Sequence, residues 1–444
     1  MLKQNNDAKK CKFDASRNRN DSMTDCNSYL KSVSKDEAID IKAVADDILS
    51  HIRVLHIQET GETLYYKDGR YVKSGEWIIR REIQRLIGSY ADEKTKRDII
   101  SYICDETRIS RDDLDCDPDV INLENVLYDV KTGEFREHSP EFLSTIQIPV
   151  VYVPGMSCPL IMKTLTELLP PEDLQICLEF LGYCLTPKTN MKKALMLLGL
   201  ENTGKSVLMD LATYFLGVDN TSRISLQKMS YDKYATSRFD GTLLNCYSDI
   251  DWKKTSSLSV FKEVTGERFV HAEEKYGTSY EFNNMTKHMF AASRLPHGKY
   301  LDSVFLDRWL VINLKHQYKG KDADVDLIDK LNKPDELSGL LNLVLNALKG
   351  LRERGYFKHA DKSAKILDAL SSDTASVQSF VKDVVTRKKG HSIYKSDMYA
   401  AYANWCNSSL MVPTSKIGFG RAFSGCSFNG DKNKWHNCSL KGEY

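Results

Sequence analysis

Gly199-Leu200-Glu201-Asn202-Thr203-Gly204-Lys205-Ser206 is the stretch whose reading decides the rest of the chain. It fits GxxxxGKS, stands directly after the apolar run Lys193 to Leu198, and opens directly into a helical pattern, VLMDLATYFLG. Glycines let such a loop wrap closely around phosphate oxygens, and the amides at the start of the helix attract anions. Gly199, Glu201, Asn202, Thr203, Gly204, Lys205, Ser206 and Val207 are therefore the candidate nucleotide-contacting residues. Lys205 would reach the terminal phosphates, and the Ser206 hydroxyl would ligate magnesium. The plainer alternative is a glycine turn that closes a βα unit, which a chance match would seldom satisfy in this context.

Hydrolysis of a bound nucleotide needs an acidic group at the tip of a neighbouring strand. TLLNCYSDID supplies Asp249 at the end of an apolar run and Asp251 two residues later. Asp249 is the first candidate for holding magnesium. Asp251 would support it or polarise the water, and a solvated turn is the bland reading of both.

Outward from this motif, 444 residues are enough for two or three cores, and 41% hydrophobic with 28% charged residues describes a globular chain. A formal net charge of +1 neither requires nor excludes a local nucleic-acid groove. Eleven cysteines, an odd number in a large chain without a secretory opening, favour reduced thiols in a cytosol over a disulfide framework. Cys104 with Cys116, or Cys426 with His436 and Cys438, lack the paired spacing of a zinc site. No apolar run approaches the roughly 18–20 residues of a membrane helix, and the expected location is cytoplasmic.

Residues 1–33 mix Lys, Asp, Asn and Ser without periodicity and are expected to form a disordered tail. An N-terminal α+β module is expected over 34–187, with strands around the Asp68-Gly69 turn and a strand-rich stretch from Ile121. The nucleotide core follows over 188–335 and a helical segment over 336–386. Arg387-Lys388-Lys389-Gly390 reads as a basic joint to a last domain, 387–444.

Taken in order, INLENVLYDVKTGEFREHSPEFLSTIQIPVVYVP, LEFLGYCLTP, GLENTGKS, NCYSDID, FKEVTGERFVHAEEKYGTSYEF and HMFAASRLPHGKYLDSVFLDRWLVINL resemble the superfamily 3 helicases. More narrowly they resemble the phage and plasmid primase–helicase family shared with poxvirus-type replication primases, over most of the chain from about Ile121. The resemblance implies an α/β P-loop core of the AAA+ type that assembles into a ring, commonly a hexamer, with ATP between subunits. Arg308 would then be an arginine finger on the adjacent subunit's ATP, against the alternative of a surface salt bridge; such fingers contribute roughly 10³–10⁵ in rate. Lys275 would sit on a hairpin in the channel and contact phosphates, while Lys262 would serve the nucleotide or face solvent. One position departs from the pattern: Ser293 stands where the family has a sensor asparagine three residues before Pro296, and Arg294 lies beside it. Serine reaches less far and offers a different donor set than an amide.

HSIYKSDMYAAYANWCNSSLMVPTSKIGFGRAFSGC resembles the family's terminal winged-helix module. A helix starting at Thr414-Ser415-Lys416 would carry Lys416 and Arg421 toward DNA, with Lys432 and Lys434 in the wing. A protein-docking lobe is the alternative. No acidic cluster precedes Ile121, so a primase or initiator would be a separate partner. The leading expectation is an ATP- and magnesium-dependent helicase on single-stranded and forked DNA, with 3′ to 5′ direction by family analogy. An RNA helicase or packaging motor is a second reading, and an ATP-dependent origin-binding initiator or loader without efficient unwinding is a third, kept open by Ser293.

Overall fold

The computed structural model describes residues 29–33, 36–248, 250, 258–273, 275, 277, 279–293, 303–318, 324, 326–368, 373–408 and 413–441. They divide into two compact units: one of residues through Ile57 with Gly61–Tyr65 and Lys73–Arg108, the other of Gln58–Thr60, Tyr66–Val72 and Ile109–Tyr444.

In the first unit, helices Ile41–His51, Gly75–Ile87 and Glu93–Glu106 enclose Val44, Ile48, Ile79, Ile83, Ile99 and Ile103. Asp40 and Asp92 start two of them by accepting from the amides of Ala43 and Thr95, which relieves orphan donors of the first turn. Val54 to His56 pairs antiparallel with Thr63 to Tyr65. The expected tail ends earlier than Val33, because Leu30–Val33 is a strand paired with Asp36–Ile39, and helix begins only at Ile41. The rest of the tail, residues 1–28, lies outside the described residues.

The second unit is built on a parallel five-stranded sheet, in spatial order Thr221–Ser222, Leu244–Tyr247, Lys287–Ala292, Ala194–Leu198 and Trp309–Asn313. Ala194–Leu198 is buried at every position, as a parallel strand covered on both faces must be. Its side chains alternate between two cores. Leu195 and Leu197 join a cluster with helices Pro159–Leu168, Pro171–Cys184, Lys205–Leu216 and Pro334–Arg354. Met196 and Leu198 face the opposite cluster, with Phe261, Phe290 and Trp309. At the short edge strand, Asn245 accepts from Ile224 N (2.7 Å) and the Ser222 hydroxyl (3.1 Å) and donates to Ile224 O (2.9 Å). That network keeps a fully buried amide satisfied.

Helices from before residue 187 and from after residue 335 share one hydrophobic cluster with the sheet strands. Residues 109–187 likewise belong with the sheet rather than with residues up to Arg108. Arg387–Gly390, read as a joint, lies inside the strand Val385–Tyr394, which pairs antiparallel with Lys434–Leu440. Helix Asp373–Val384, within the segment expected over 336–386, packs into the terminal module: Phe380 meets Tyr402, Trp405 and Phe419 at ring distances of 5.4, 5.8 and 6.1 Å. Among the described residues, no helix is long and apolar enough to cross a membrane.

Lys287 is fully buried at the head of its strand, donating to the carbonyls of Met285 (2.8 Å) and Thr186 beside the Tyr183 ring. Burial lowers its pKa to about 7. Between about pH 7 and the ordinary lysine range the unfolded chain therefore holds a proton that the folded chain has released. Stability contributed through this group must rise with pH across that window, and the cost of charging it is fully present below pH 7. Lys287→Met is expected to raise the melting temperature most at pH 6 and to flatten the rise toward pH 10; an unchanged pH profile would exclude a buried titrating amine here.

Candidate nucleotide-binding site

All five strands run in the same direction, so their carboxyl ends share one edge, where ligands of open α/β sheets bind. Gly199 to Gly204 leaves that edge after Leu198 and enters the helix Lys205–Leu216. Two glycines are required by geometry. A Cβ on Gly199 would stand 2.7 Å from the Leu314 carbonyl oxygen and 2.6 Å from the Thr203 hydroxyl. Gly204 takes φ +90, a left-handed conformation, and a Cβ there would collide with Leu168. Asn202 also has positive φ, at 59°, which asparagine tolerates better than most residues.

The loop is held from behind by the segment after the last strand. Tyr318 N donates to Asn202 O (2.8 Å) and the Gln317 side chain to Glu201 O (3.0 Å). Thr203 is buried and its hydroxyl donates to Leu200 O (2.9 Å). Lys205 folds over the loop, its ammonium donating to Gly199 O (2.7 Å) and Leu200 O (2.5 Å). The amino group is thus carried back across the ring of backbone that the glycines open, while Glu201, Asn202 and Ser206 are exposed.

These residues line a cleft of about 710 Å³ with Ser248, Ala291, Ala292 and Ser293 on the strand ends. The size lies within the range of small-molecule sites, roughly 300–1,000 Å³. The opposite wall is Leu160, Lys163, Thr164, Glu167 and Leu168 of one helix together with Tyr318, Asp324 and Leu327. Sequence reasoning missed this wall. Its residues come from before and after the motif, and no local pattern marks them; only the packing of Leu168 against Gly204 brings them in. Asp324 is held below the usual carboxylate range by its hydrogen bond from Lys330 (2.6 Å).

The cleft brings together Glu201 to Val207 and Ser293, with Gly199 at the loop's base. Asp249, Asp251 and Arg294 lie outside the described residues. Gly199 and Gly204, the amides at the helix start and the ammonium of Lys205 are groups a phosphate chain can use. For magnesium, the loop offers the Ser206 hydroxyl beside the exposed Glu201 and Asn202 side chains, and no cluster of three or more His, Cys, Asp or Glu suited to a metal occurs among the described residues.

The other candidates are placed apart from the loop. Arg308 is half-buried just before Trp309–Asn313, with its guanidinium over Gly266 of the same chain: a Cβ on Gly266 would meet it at 2.6 Å. An interfacial role requires that group to leave Gly266. Lys275 is exposed in the connection of an antiparallel hairpin, Phe269–Glu273 with Ser279–Asn283. Lys416 opens the helix Lys416–Gly425 after Ser415, whose side chain accepts from Gly418 N; Arg421 is exposed on the same helix, and Lys432 and Lys434 flank the turn into the last strand.

Gly204→Ala is expected to weaken nucleotide binding at least tenfold, because both the backbone angle and Leu168 oppose the new methyl. Titration with a fluorescent ATP analogue measures it, and wild-type affinity would show that the cradle is not the phosphate site.

Residues 42–170 match the family described as "D5 N terminal like", and residues 197–304 match the "Family of unknown function (DUF5906)". No curated protein matches the chain. Similar solved structures include "The A form apo structure of NrS-1 C terminal region-CTR", with TM-score 0.48 and 11% identity over 76% of this chain and 79% of that one. Another is "The A form apo structure of NrS-1 C terminal region-CTR(305-718)", with TM-score 0.47 and 10% identity over 90% and 99% of the two chains. Neither family match spans half of the chain.

Proposed function

We propose that the chain is an ATP-dependent replicative DNA helicase of a virus, phage or plasmid, a ring-forming motor of the superfamily 3 type. The observation that carries this reading is the Gly199–Gly204 cradle, which opens with Lys205 into a cleft at the carboxyl edge of a parallel sheet. In this proposal Lys205 leaves the carbonyls of Gly199 and Leu200 for the terminal phosphates when ATP enters. The loop amides hold the phosphate oxygens, and Ser206 with Asp249 supplies oxygens to magnesium. Magnesium held there would supply positive charge against the charge that builds on the transferred phosphoryl group. Ser293, at the end of the adjacent strand, hydrogen-bonds water or phosphate from the sheet edge. Arg308 swings from Gly266 to the nucleotide of a neighbouring subunit, and Lys275 follows the DNA backbone as a point charge without fixed geometry.

A second reading, an origin-binding initiator or loader that assembles with ATP but unwinds poorly, is favoured by two features. Ser293 replaces a longer amide, and Arg308 is packed inside its own chain. ATP hydrolysis with and without single-stranded DNA, run beside unwinding of a forked duplex, separates the two. Stimulated hydrolysis with strand separation is expected; hydrolysis without separation would favour the initiator, and absence of ATP binding would remove both.

Lys205→Ala should abolish turnover and leave the melting temperature unchanged, and normal turnover would remove Lys205 from the chemistry. With Arg308→Ala subunits mixed into wild-type rings, activity should fall faster than the mutant fraction, because each defective subunit disables a neighbour. A strictly proportional fall would confine Arg308 to its own chain.

A further inference from the structure

The terminal strand pair contains a feature that the nucleotide cleft does not use. Arg387 pairs with Cys438 and Ser392 with His436, so Lys388, Lys389, Gly390 and His391 stand opposite the single residue Asn437. The bulge has a defined shape. Gly390 has φ +80 and Asn437 φ +58, and the Gly390 amide donates to the Asn437 side chain at 3.1 Å. Its entrance is anchored by Arg387, which donates to Cys426 O (3.1 Å) and Ser427 O (3.3 Å) and lies 4.7 Å over the Phe428 ring. Residues 386–392 are all exposed.

Basic residues outnumber acidic ones around the bulge. From Val385 to Lys441 the acids are Asp397 and Asp431, and Asp431 is already engaged with His436 at 3.1 Å. Lys388, Lys389, Lys416, Arg421 and Lys432 make no ion pair among the described residues. At the other end of the same strand pair a second basic turn is fixed, the Asp431 carboxylate accepting from the amides of Asn433 and Lys434 at 2.7 Å each. Lys434 and Asn437 are three residues apart on one strand, about 10 Å at roughly 3.3 Å per residue. The two turns are therefore close enough to meet the backbone of one nucleic-acid strand.

We propose that Lys388 and Lys389 form a phosphodiester-binding bulge that grips the nucleic-acid backbone without reading sequence, in register with Lys432 and Lys434. This rests on the reading of the chain as a nucleic-acid motor and names the contact its terminal module makes. Such contacts act by displacing counterions, so each phosphate grip lost lowers the salt dependence of binding by about 0.7 for single strands and 0.9 for duplex.

The test uses the full chain with K388A/K389A and the charge-keeping K388R/K389R. Binding of fluorescein-labelled single-stranded DNA, and of RNA of the same sequence, is followed by anisotropy across salt concentration. Removing both lysines is expected to lower the slope by about 1.4 and the affinity at 0.1 M salt about 25-fold, equally for DNA and RNA, while K388R/K389R retains both. An unchanged slope in K388A/K389A overturns the proposal, as does a loss confined to one DNA sequence. ATP turnover measured without nucleic acid should be the same in all three proteins. Absent turnover in the wild type would undo the motor reading while the salt slopes still decided the bulge.

Discussion

Two missing side chains hold the candidate site open. Gly199 passes so close to Leu314 that no Cβ can be placed there, and Gly204 turns left-handed against Leu168. The first close approach lets the loop lie on the end of the last sheet strand, and the second seats it on the helix Pro159–Leu168. The cleft wall, the position of Tyr318 and the start of the helix at Lys205 all follow from these two approaches. The ammonium of Lys205 can reach back over the loop only because the backbone beneath it is bare.

The sheet supplies the platform. Side chains on Ala194–Leu198, Lys287–Ala292 and Trp309–Asn313 alternate between two cores, and each core recruits helices from distant parts of the chain. One face takes helices from both before and after the glycine loop. The other continues into the terminal module through Phe380, Tyr402, Phe419 and Phe423. Fully burying a large aliphatic or aromatic side chain contributes roughly 1.5–3 kcal/mol, so these shared clusters outweigh any weak preference for a break at a loop.

Local signals were legible because their causes are local. The strand, glycine loop and helix around Lys205 could be read from adjacent residues, as could the Asp68-Gly69 turn and the helix start at Ser415. What could not be read depends on partners far along the chain. Thr164 and Asp324 share a cleft although no spacing links them. The run Arg387–Gly390 looks the same in a linker as in a bulge, since a glycine among charges serves both; only its pairing with Lys434–Leu440 tells them apart. Thr221–Ser222 is too short a strand to leave any periodic trace.

The packing around Arg308 has a mechanical consequence. Trp309 stacks on Phe261 at 4.8 Å, and the helix bearing Phe261 ends at Gly266 under the guanidinium. At the foot of the hairpin Asn284 ties its amide to Arg268 O (2.7 Å) and its side chain to Val264 O (2.6 Å). Strand, helix and hairpin are thus joined end to end like the arm of a lever, with its pivot beside Arg308. An arm of five extended residues is about 16 Å long, so a tilt of about 10° at the pivot sweeps the tip that bears Lys275 through about 3 Å.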